Sequence, residues 1–550
     1  MISGAMQDYS LTIDKFIDQA AKWHPNSQVV MATGDGNAFG AQRPVSRTSY
    51  AKLRARAKKV SSVLAANGVK LGDAVATLAW NSQAHVECWY AIMGMGAVCH
   101  TLTPRLDIKD LADMLSQSRA RILIVAADMT DAAEAIRSRV SGIEYIFVID
   151  VERQSEVRPS GGGTDLESLI SEARLDVRWG EFDENSPCGL CFTSGTTGAP
   201  KGVTYTHRAN YLHTMRQLQA DVSGIVASDA ILVAVPMFHA NAWGLPFAAP
   251  AVGAKLVLPG KVTTGKALAE LIVQEGVTLG VAVPTLWLAL YDYLDESGTK
   301  LRSLKRIMVG GAPMPPALMQ RIEASGVILQ TSWGMTELSP LGTATVLSSP
   351  NRSPETVGRP AIGIDLMLAD HEGRTLEQQR GVEGHLHARG HSVLDRYLGE
   401  RTSACTNGWF PTGDLAMIDD AGLLSITGRS KDLIKSGGEW INPSILEAHV
   451  AGLPGVAHAA VIARQDAKWG ERPLLVVETR GTDSLSDADL LAALHGKVPR
   501  WWLPDAIERV ATMPLSPTGK INKLLLQDRY STAEASSGAS DALESLETRD

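Results

Sequence analysis

Cysteine is scarce in this chain. Five residues in 550 (Cys88, Cys99, Cys188, Cys191 and Cys405) are too few and too scattered for a disulfide framework. Cys188 and Cys191 have CxxC spacing, but no second pair exists and Cys191 falls within the apolar run Gly189-Leu190-Cys191-Phe192. Core packing is therefore the better reading than zinc or redox chemistry, and a reducing cytoplasm is the expected setting. Long apolar runs are missing too: none approaches the roughly 20 residues of a membrane span. Residues 1–8 lack the basic start and apolar core of a secretion signal, so neither a leader nor an integral membrane segment is expected. Positive charge is not in excess. Lys and Arg number 52 against 60 Asp and Glu, and the net charge of −8 argues against non-specific nucleic-acid binding. What remains is ordinary globular composition, 45% hydrophobic and 20% charged. The chain is too long for one core, so two or more domains are expected.

Helical spacing of apolar residues runs through 11–25 (Leu11, Ile13, Phe16, Ile17, Ala20) and 50–67 (Leu53, Ala57, Val60, Val63, Leu64). Strands are expected at 73–79, 122–126 and 145–149, with a helix over 87–94. Such alternation implies an α/β fold around a mostly parallel sheet. Residues 158–164, with three successive glycines, read as a surface loop, and 305–316 as a strand entering a Gly/Pro turn. Near the end, a helix at 444–451, strands at 456–463 and 474–478, and a helix at 487–496 suggest a compact α+β unit. Residues 531–550 are Ser/Ala/Glu-rich without pattern and read as a disordered tail.

The stretch Thr193-Ser194-Gly195-Thr196-Thr197-Gly198-Ala199-Pro200-Lys201-Gly202 follows the apolar run and holds four hydroxyls, three glycines and one lysine. Glycine lets backbone N–H groups approach a ligand closely. Hydroxyls, N–H groups and a lysine all donate to phosphate oxygens. This is not a Walker A loop, because Gly202, not Ser or Thr, follows Lys201. Spacing alone leaves two readings open, a phosphate cradle and a plain Gly/Thr turn.

Further stretches, taken singly, read just as plainly. In Pro236-Met-Phe-His-Ala-Asn-Ala-Trp-Gly244, Phe238 and Trp243 suit the core of a strand entering a turn. Glu337, closing Thr331-Ser-Trp-Gly-Met-Thr-Glu337, suits a solvated charge. Lys431 and Lys435, in Gly428-Arg-Ser-Lys-Asp-Leu-Ile-Lys-Ser-Gly-Gly-Glu-Trp-Ile441, suit a surface. Together with Trp409-Phe-Pro-Thr-Gly-Asp414 and Leu515-Ser-Pro-Thr-Gly-Lys-Ile-Asn522, they stand in the order seen in adenylate-forming (AMP-binding) enzymes. The chain resembles that superfamily, and within it the medium- and long-chain fatty-acyl-CoA synthetases, over roughly residues 10–525.

The resemblance implies a large N-terminal domain of α/β subdomains over 1–428 and a small mobile α+β domain over 429–530. It implies an ATP-dependent acid–thiol ligase that forms acyl-AMP and passes the acyl group to coenzyme A. Mg²⁺ would be held by Thr193 and Glu337. Thr193, Ser194, Gly195, Thr196, Thr197, Gly198 and Lys201 would cradle phosphates. Trp333, beside Ser332, would meet the adenine, with Thr336 on a phosphate oxygen and Asp414 and Arg429 on the ribose. Lys431 marks the hinge. Lys435 and Trp440 would approach the adenylate in one domain orientation, and Gly437 the pantetheine channel in the other. Lys520 would bind the carboxylate and α-phosphate, acting in catalysis with Glu337 and Thr336. Trp243 would gate an acyl tunnel lined by His239, Ala240, Gly311 and Met335, with Gly311 also next to the nucleotide.

Amino-acid-activating relatives usually carry Asp where this chain has His239. No carboxylate lies between Pro236 and Ala254, so a buried ammonium would lack a partner and an uncharged acyl tail is favoured. The alternatives are a small aromatic, branched or sulfur-containing acid, or loading of a carrier protein. His100-Thr-Leu-Thr-Pro-Arg-Leu106 also resembles these synthetases, with Thr103 where Asn is usual. Relatives with that pattern include homodimers, so a homodimer is compatible with it.

Overall fold

The computed structural model describes residues 4–34, 43–151, 163–174, 176–193, 200–349, 352–479, 485–516 and 520–530. Ser194, Gly195, Thr196, Thr197 and Gly198 of the expected phosphate cradle, and the expected tail at 531–550, lie outside the described residues.

Two large sheets dominate. The first has seven strands in the order Thr164–Asp165, Tyr145–Ile149, Ile122–Ala126, Ala74–Leu78, Val98–Leu102, Pro187–Thr193 and Lys201–Thr206. All its neighbours are parallel except the last pair. The second has nine strands. Its centre is parallel (Ile328–Gly334, Arg306–Val309, Leu279–Ala282, Ala230–Val233, Lys255–Leu258, Gln28–Ala32) and its edges are antiparallel. Continuous apolar runs such as Ile122–Ala126 are buried along their whole length, as parallel strands covered on both faces must be.

The main core lies between these sheets. The helix Gln83–Gly94 is buried from His85 onward, which its nearly all-apolar circumference requires. It starts at Ser82, whose side chain accepts the backbone N–H of His85. Trp89 and Tyr90 of this helix meet Phe247 of the helix Leu245–Val252. The cluster takes in Val75 and Ile124 from the first sheet and Val29, Ile231 and Leu256 from the second.

A four-stranded antiparallel sheet follows: Ile364–Ala369, Glu383–Gly390, Phe410–Ile418 and Leu424–Arg429. The last unit is built on the hairpin Val456–Asp466 and Gly470–Thr479. These strands are longer than the sequence suggests, because Asp466 Oδ1 accepts the N–H groups of Lys468 and Trp469 and closes a tight turn. Ala506–Arg509 pairs parallel with Gly470–Thr479, so the unit is α+β with its own core of Ile434, Leu446, Val461, Leu475 and Leu490. Asn442, the N-cap of its helix Pro443–Ala451, donates to the Thr427 carbonyl of the preceding sheet.

Candidate active site

Three strands end at one place. Pro187–Thr193 of the first sheet and Arg306–Val309 and Ile328–Gly334 of the second bring their carboxyl ends toward the expected site, the usual position for ligands in parallel sheets. Thr193 pairs directly with Lys201, so both flank the base of the loop between them. Lys201 Nζ lies 5.1 Å from the centre of the Tyr397 ring, and the Tyr397 hydroxyl donates to Glu337 Oε1 at 2.9 Å. Tyr205 donates to the backbone carbonyl of Thr336 at 2.9 Å. Glu337 is 6% exposed, and burial lifts its carboxyl above the usual range against the Tyr397 hydrogen bond. No described cation lies within ion-pair distance of it. A buried carboxylate with a neutral donor on one oxygen and no charged partner suits a hard cation such as Mg²⁺.

Beside this group, the indole N–H of Trp333 donates to Asp414 Oδ2 at 2.9 Å. Gly342 presses on the indole: a Cβ there would come within 2.6 Å of the ring. Arg429 stands opposite Asp414 on the neighbouring strand, with Nε 2.7 Å from Oδ1. Its N–H does not point along a hydrogen bond, and Oδ1 has no donor among the described residues. The carboxyl is buried, which raises its pKa, while Arg429, Trp333 and Lys520 pull it down. A buried carboxyl oxygen without a donor is a ready acceptor for a sugar hydroxyl.

The acyl end is built on an unusual turn. Ala240, Asn241, Ala242 and Trp243 have φ of 43°, 53°, 46° and 54°. Asn tolerates the left-handed region, but Ala240, Ala242 and Trp243 there cost about 1–2 kcal/mol each, and no run of turn residues announces them. The turn aims Trp243 at the glycines after Val309. A Cβ at Gly310 would sit 2.7 Å from Ser332 Oγ and 3.1 Å from the indole. At Gly311 a Cβ would meet Val283 at 3.6 Å, Trp243 at 3.9 Å and Lys520 Cε at 4.0 Å, and φ is +83°. Gly310 is thus the tighter of the two, while Gly311 is held to glycine mainly by its backbone. Ser332 Oγ donates to the Val309 carbonyl at 2.9 Å, and Met335 is half-buried against the core. Burial, and secondarily the Lys520 charge, hold His239 down to about 4, so it is neutral near pH 7.

Lys520 belongs to the small unit, yet it reaches this spot. Its side chain keeps solvent contact. Crowding by protein and the Arg429 charge lower its pKa, against Asp414 and Glu337. The other expected residues of that unit lie elsewhere. Lys431 sits in the short turn Ser430–Asp432. Lys435 lies over the ring of Trp440, a residue 53% exposed, and neither contacts the Asp414–Glu337 group among the described residues. Gly437 (φ +59°) faces the Trp469 ring, 2.9 Å from where its Cβ would be. Sequence reasoning missed Tyr397, Gly310 and Asn81. Asn81 donates to the carbonyls of Val233 and Val235 and accepts from Met237 N, bracing the strand before the turn. Arg105, from the His100–Leu106 stretch, faces the Phe238 ring at 6.0 Å.

Residues 17–398 match the family model of the AMP-binding enzyme, and residues 446–520 match that of the AMP-binding enzyme C-terminal domain. The chain belongs to the AMP-binding enzyme family. This AMP-binding enzyme is 39% identical to the 3-methylmercaptopropionyl-CoA ligase of Ruegeria lacuscaerulensis, covering 96% of this chain and 99% of the relative. It is 37% identical to the medium-chain-fatty-acid–CoA ligase of Ectopseudomonas oleovorans (96% and 97% covered) and 38% identical to the long-chain-fatty-acid–CoA ligase of Thermus thermophilus (96% and 96%). Among solved structures, a Mycobacterium tuberculosis fatty acyl CoA synthetase superposes with a TM-score of 0.72 at 27% identity, covering 95% and 98% of the two chains. The anthranilate CoA ligase AuaEII in complex with anthranoyl-AMP shares the fold, with a TM-score of 0.83 at 24% identity over 95% and 98%. No described helix of this AMP-binding enzyme is long and apolar enough to cross a membrane.

Proposed function

We propose that this enzyme is an ATP-dependent acyl-CoA synthetase acting on a medium- or long-chain carboxylic acid. The observation that carries the proposal is the meeting of Lys520, Trp243 and Gly311 from three distant stretches, beside the Asp414–Trp333 and Glu337–Tyr397 pairs. In the first step a carboxylate oxygen bonds to the α-phosphorus of ATP and pyrophosphate leaves with the broken P–O bond. Lys520 offsets the repulsion between carboxylate and triphosphate, and a site of fixed charges does this better than water. Asp414 accepts from the ribose, Arg429 steadies Asp414, and Trp333 fixes its other oxygen. Glu337 and Thr193 would hold Mg²⁺, which would supply charge stabilisation on the phosphates. In the second step the coenzyme A sulfur bonds to the acyl carbon, the C–O bond to AMP breaks, and the thiol proton passes to solvent.

Neutral His239 and the lack of any carboxylate from Pro236 to Ala254 favour an uncharged tail. The naming of the two fatty-acid–CoA ligases supports this reading. A second reading, a sulfur-containing short acid, is favoured by the 39% identity to a 3-methylmercaptopropionyl-CoA ligase. Purified protein given ATP, Mg²⁺ and coenzyme A should form thioesters from a panel of straight-chain acids and 3-methylmercaptopropionate. The acid with the highest kcat/KM decides between the readings. Absence of acid-dependent ATP–pyrophosphate exchange with every acid would overturn both.

A further inference from the structure

The segment from Ser392 to Leu398, which carries Tyr397, is fastened at both ends to the site. At its near end Ser339 Oγ donates to the Ser392 carbonyl (3.0 Å), Ser392 Oγ to the Leu338 carbonyl (3.2 Å) and Leu394 N to the Glu337 carbonyl (2.8 Å). Buried Arg216 adds an anchor, donating to Ser392 Oγ at 3.0 Å and the Leu341 carbonyl at 2.7 Å. At its far end Leu398 N donates to the Gly202 carbonyl at 2.8 Å. Gly202 permits this approach, since a Cβ there would lie 2.9 Å from Leu398 Cβ. Between the anchors, Tyr397 touches Glu337 with its hydroxyl and Lys201 with its ring.

We propose that Tyr397 is a positioning residue that ties Lys201 to Glu337 while keeping their charges apart. The inference rests on the adenylate-forming reading of the site. A direct Lys201–Glu337 ion pair would neutralise both groups and leave neither for phosphate or cation. A phenol between them does the opposite. Its hydroxyl fixes one carboxylate oxygen without adding charge and leaves Oε2 for a hard cation. Its ring attracts the ammonium by its quadrupole and leaves the positive charge in place.

The test uses the full-length enzyme with Tyr397→Phe and Tyr397→Leu. ATP binding is measured by calorimetry with Mg²⁺ and with a chelator, alongside the Mg²⁺ dependence of ATP–pyrophosphate exchange and the melting temperature. Tyr397→Phe should raise the half-saturating Mg²⁺ concentration about tenfold while metal-free ATP affinity holds. Tyr397→Leu should do the same and also weaken metal-free ATP binding, by about threefold, because the ring contact to Lys201 goes. If Tyr397→Phe leaves Mg²⁺ dependence unchanged, or weakens ATP binding equally with and without Mg²⁺, the positioning role is wrong. That result differs from failure of the parent reading, in which the unaltered enzyme itself shows no Mg²⁺-dependent ATP binding.

Discussion

Asp414 meets two opposite demands. Burial disfavours its charge and leaves its pKa above the ordinary value, while Arg429 nearby and an indole N–H on the other oxygen favour the ionised form. The Trp333 ring carries a donor that reaches Asp414. Trp333→Phe keeps an aromatic face and deletes that donor. It should cost about 1–3 kcal/mol of stability by leaving a buried carboxylate oxygen undonated, read as a lower urea midpoint, and should raise the KM for ATP. An unchanged midpoint would mean that water replaces the indole. Trp243 is half-buried and lies against both glycines after Val309. Trp243→Ala should shift the chain-length profile of the acid panel more than the KM for ATP. A changed ATP KM with an unchanged profile would place Trp243 on the nucleotide side.

At the scale of elements, the small unit presents one face and withholds another. Lys520 stands beside Gly311, whereas Gly437 is covered by Trp469. A charged group suits the phosphate-crowded first step, and a residue without a side chain suits a narrow channel in the second. We therefore expect the unit to turn about Lys431 between half-reactions. Lys520→Ala should slow acyl-AMP formation by about 10²–10³ yet still convert supplied acyl-AMP and coenzyme A to thioester. Gly437→Leu, strained at φ +59° and driven into Trp469, should keep pyrophosphate exchange and slow thioester formation by about 10². Equal loss of both half-reactions in two folded variants would rule out the alternating motion.

Over the whole molecule, histidines sealed in the two large sheets and their helices tie stability to pH. His85 is held at about 4, and His100 and His207 at about 3, all mainly by burial. In each case the unfolded chain takes the proton first. The stability due to the neutral ring is full above the ordinary 6.5 and is lost as pH falls toward the folded value. Carboxylates lifted by burial, such as Asp150 at about 6, act in the opposite sense over the same window. The contribution is therefore read from a variant rather than from the parent slope. His100→Leu should lose about 2–3 kcal/mol less than the parent between pH 7 and pH 4.5, measured by urea unfolding at both values. Equal losses would mean that His100 is protonated in the folded state.

Local patterns in the chain carried the α/β class, the strands at 122–126 and 145–149, the helix at 50–67 and the α+β end, because apolar periodicity and turn residues act over a few positions. They also carried the order of the motifs and hence the family. Tertiary structure alone decided what depends on side chains far beyond the reach of any local pattern. Trp333 finds Asp414, Tyr397 lies between Lys201 and Glu337, and Gly310 is tight only because Ser332 and Trp243 close on it. The left-handed turn at Ala240–Trp243 was illegible for the same reason. Apart from Asn241 its residues do not favour that backbone, so the packing around buried Asn241 and Ala242 and the Ala242 N–H bond to the His239 carbonyl hold it.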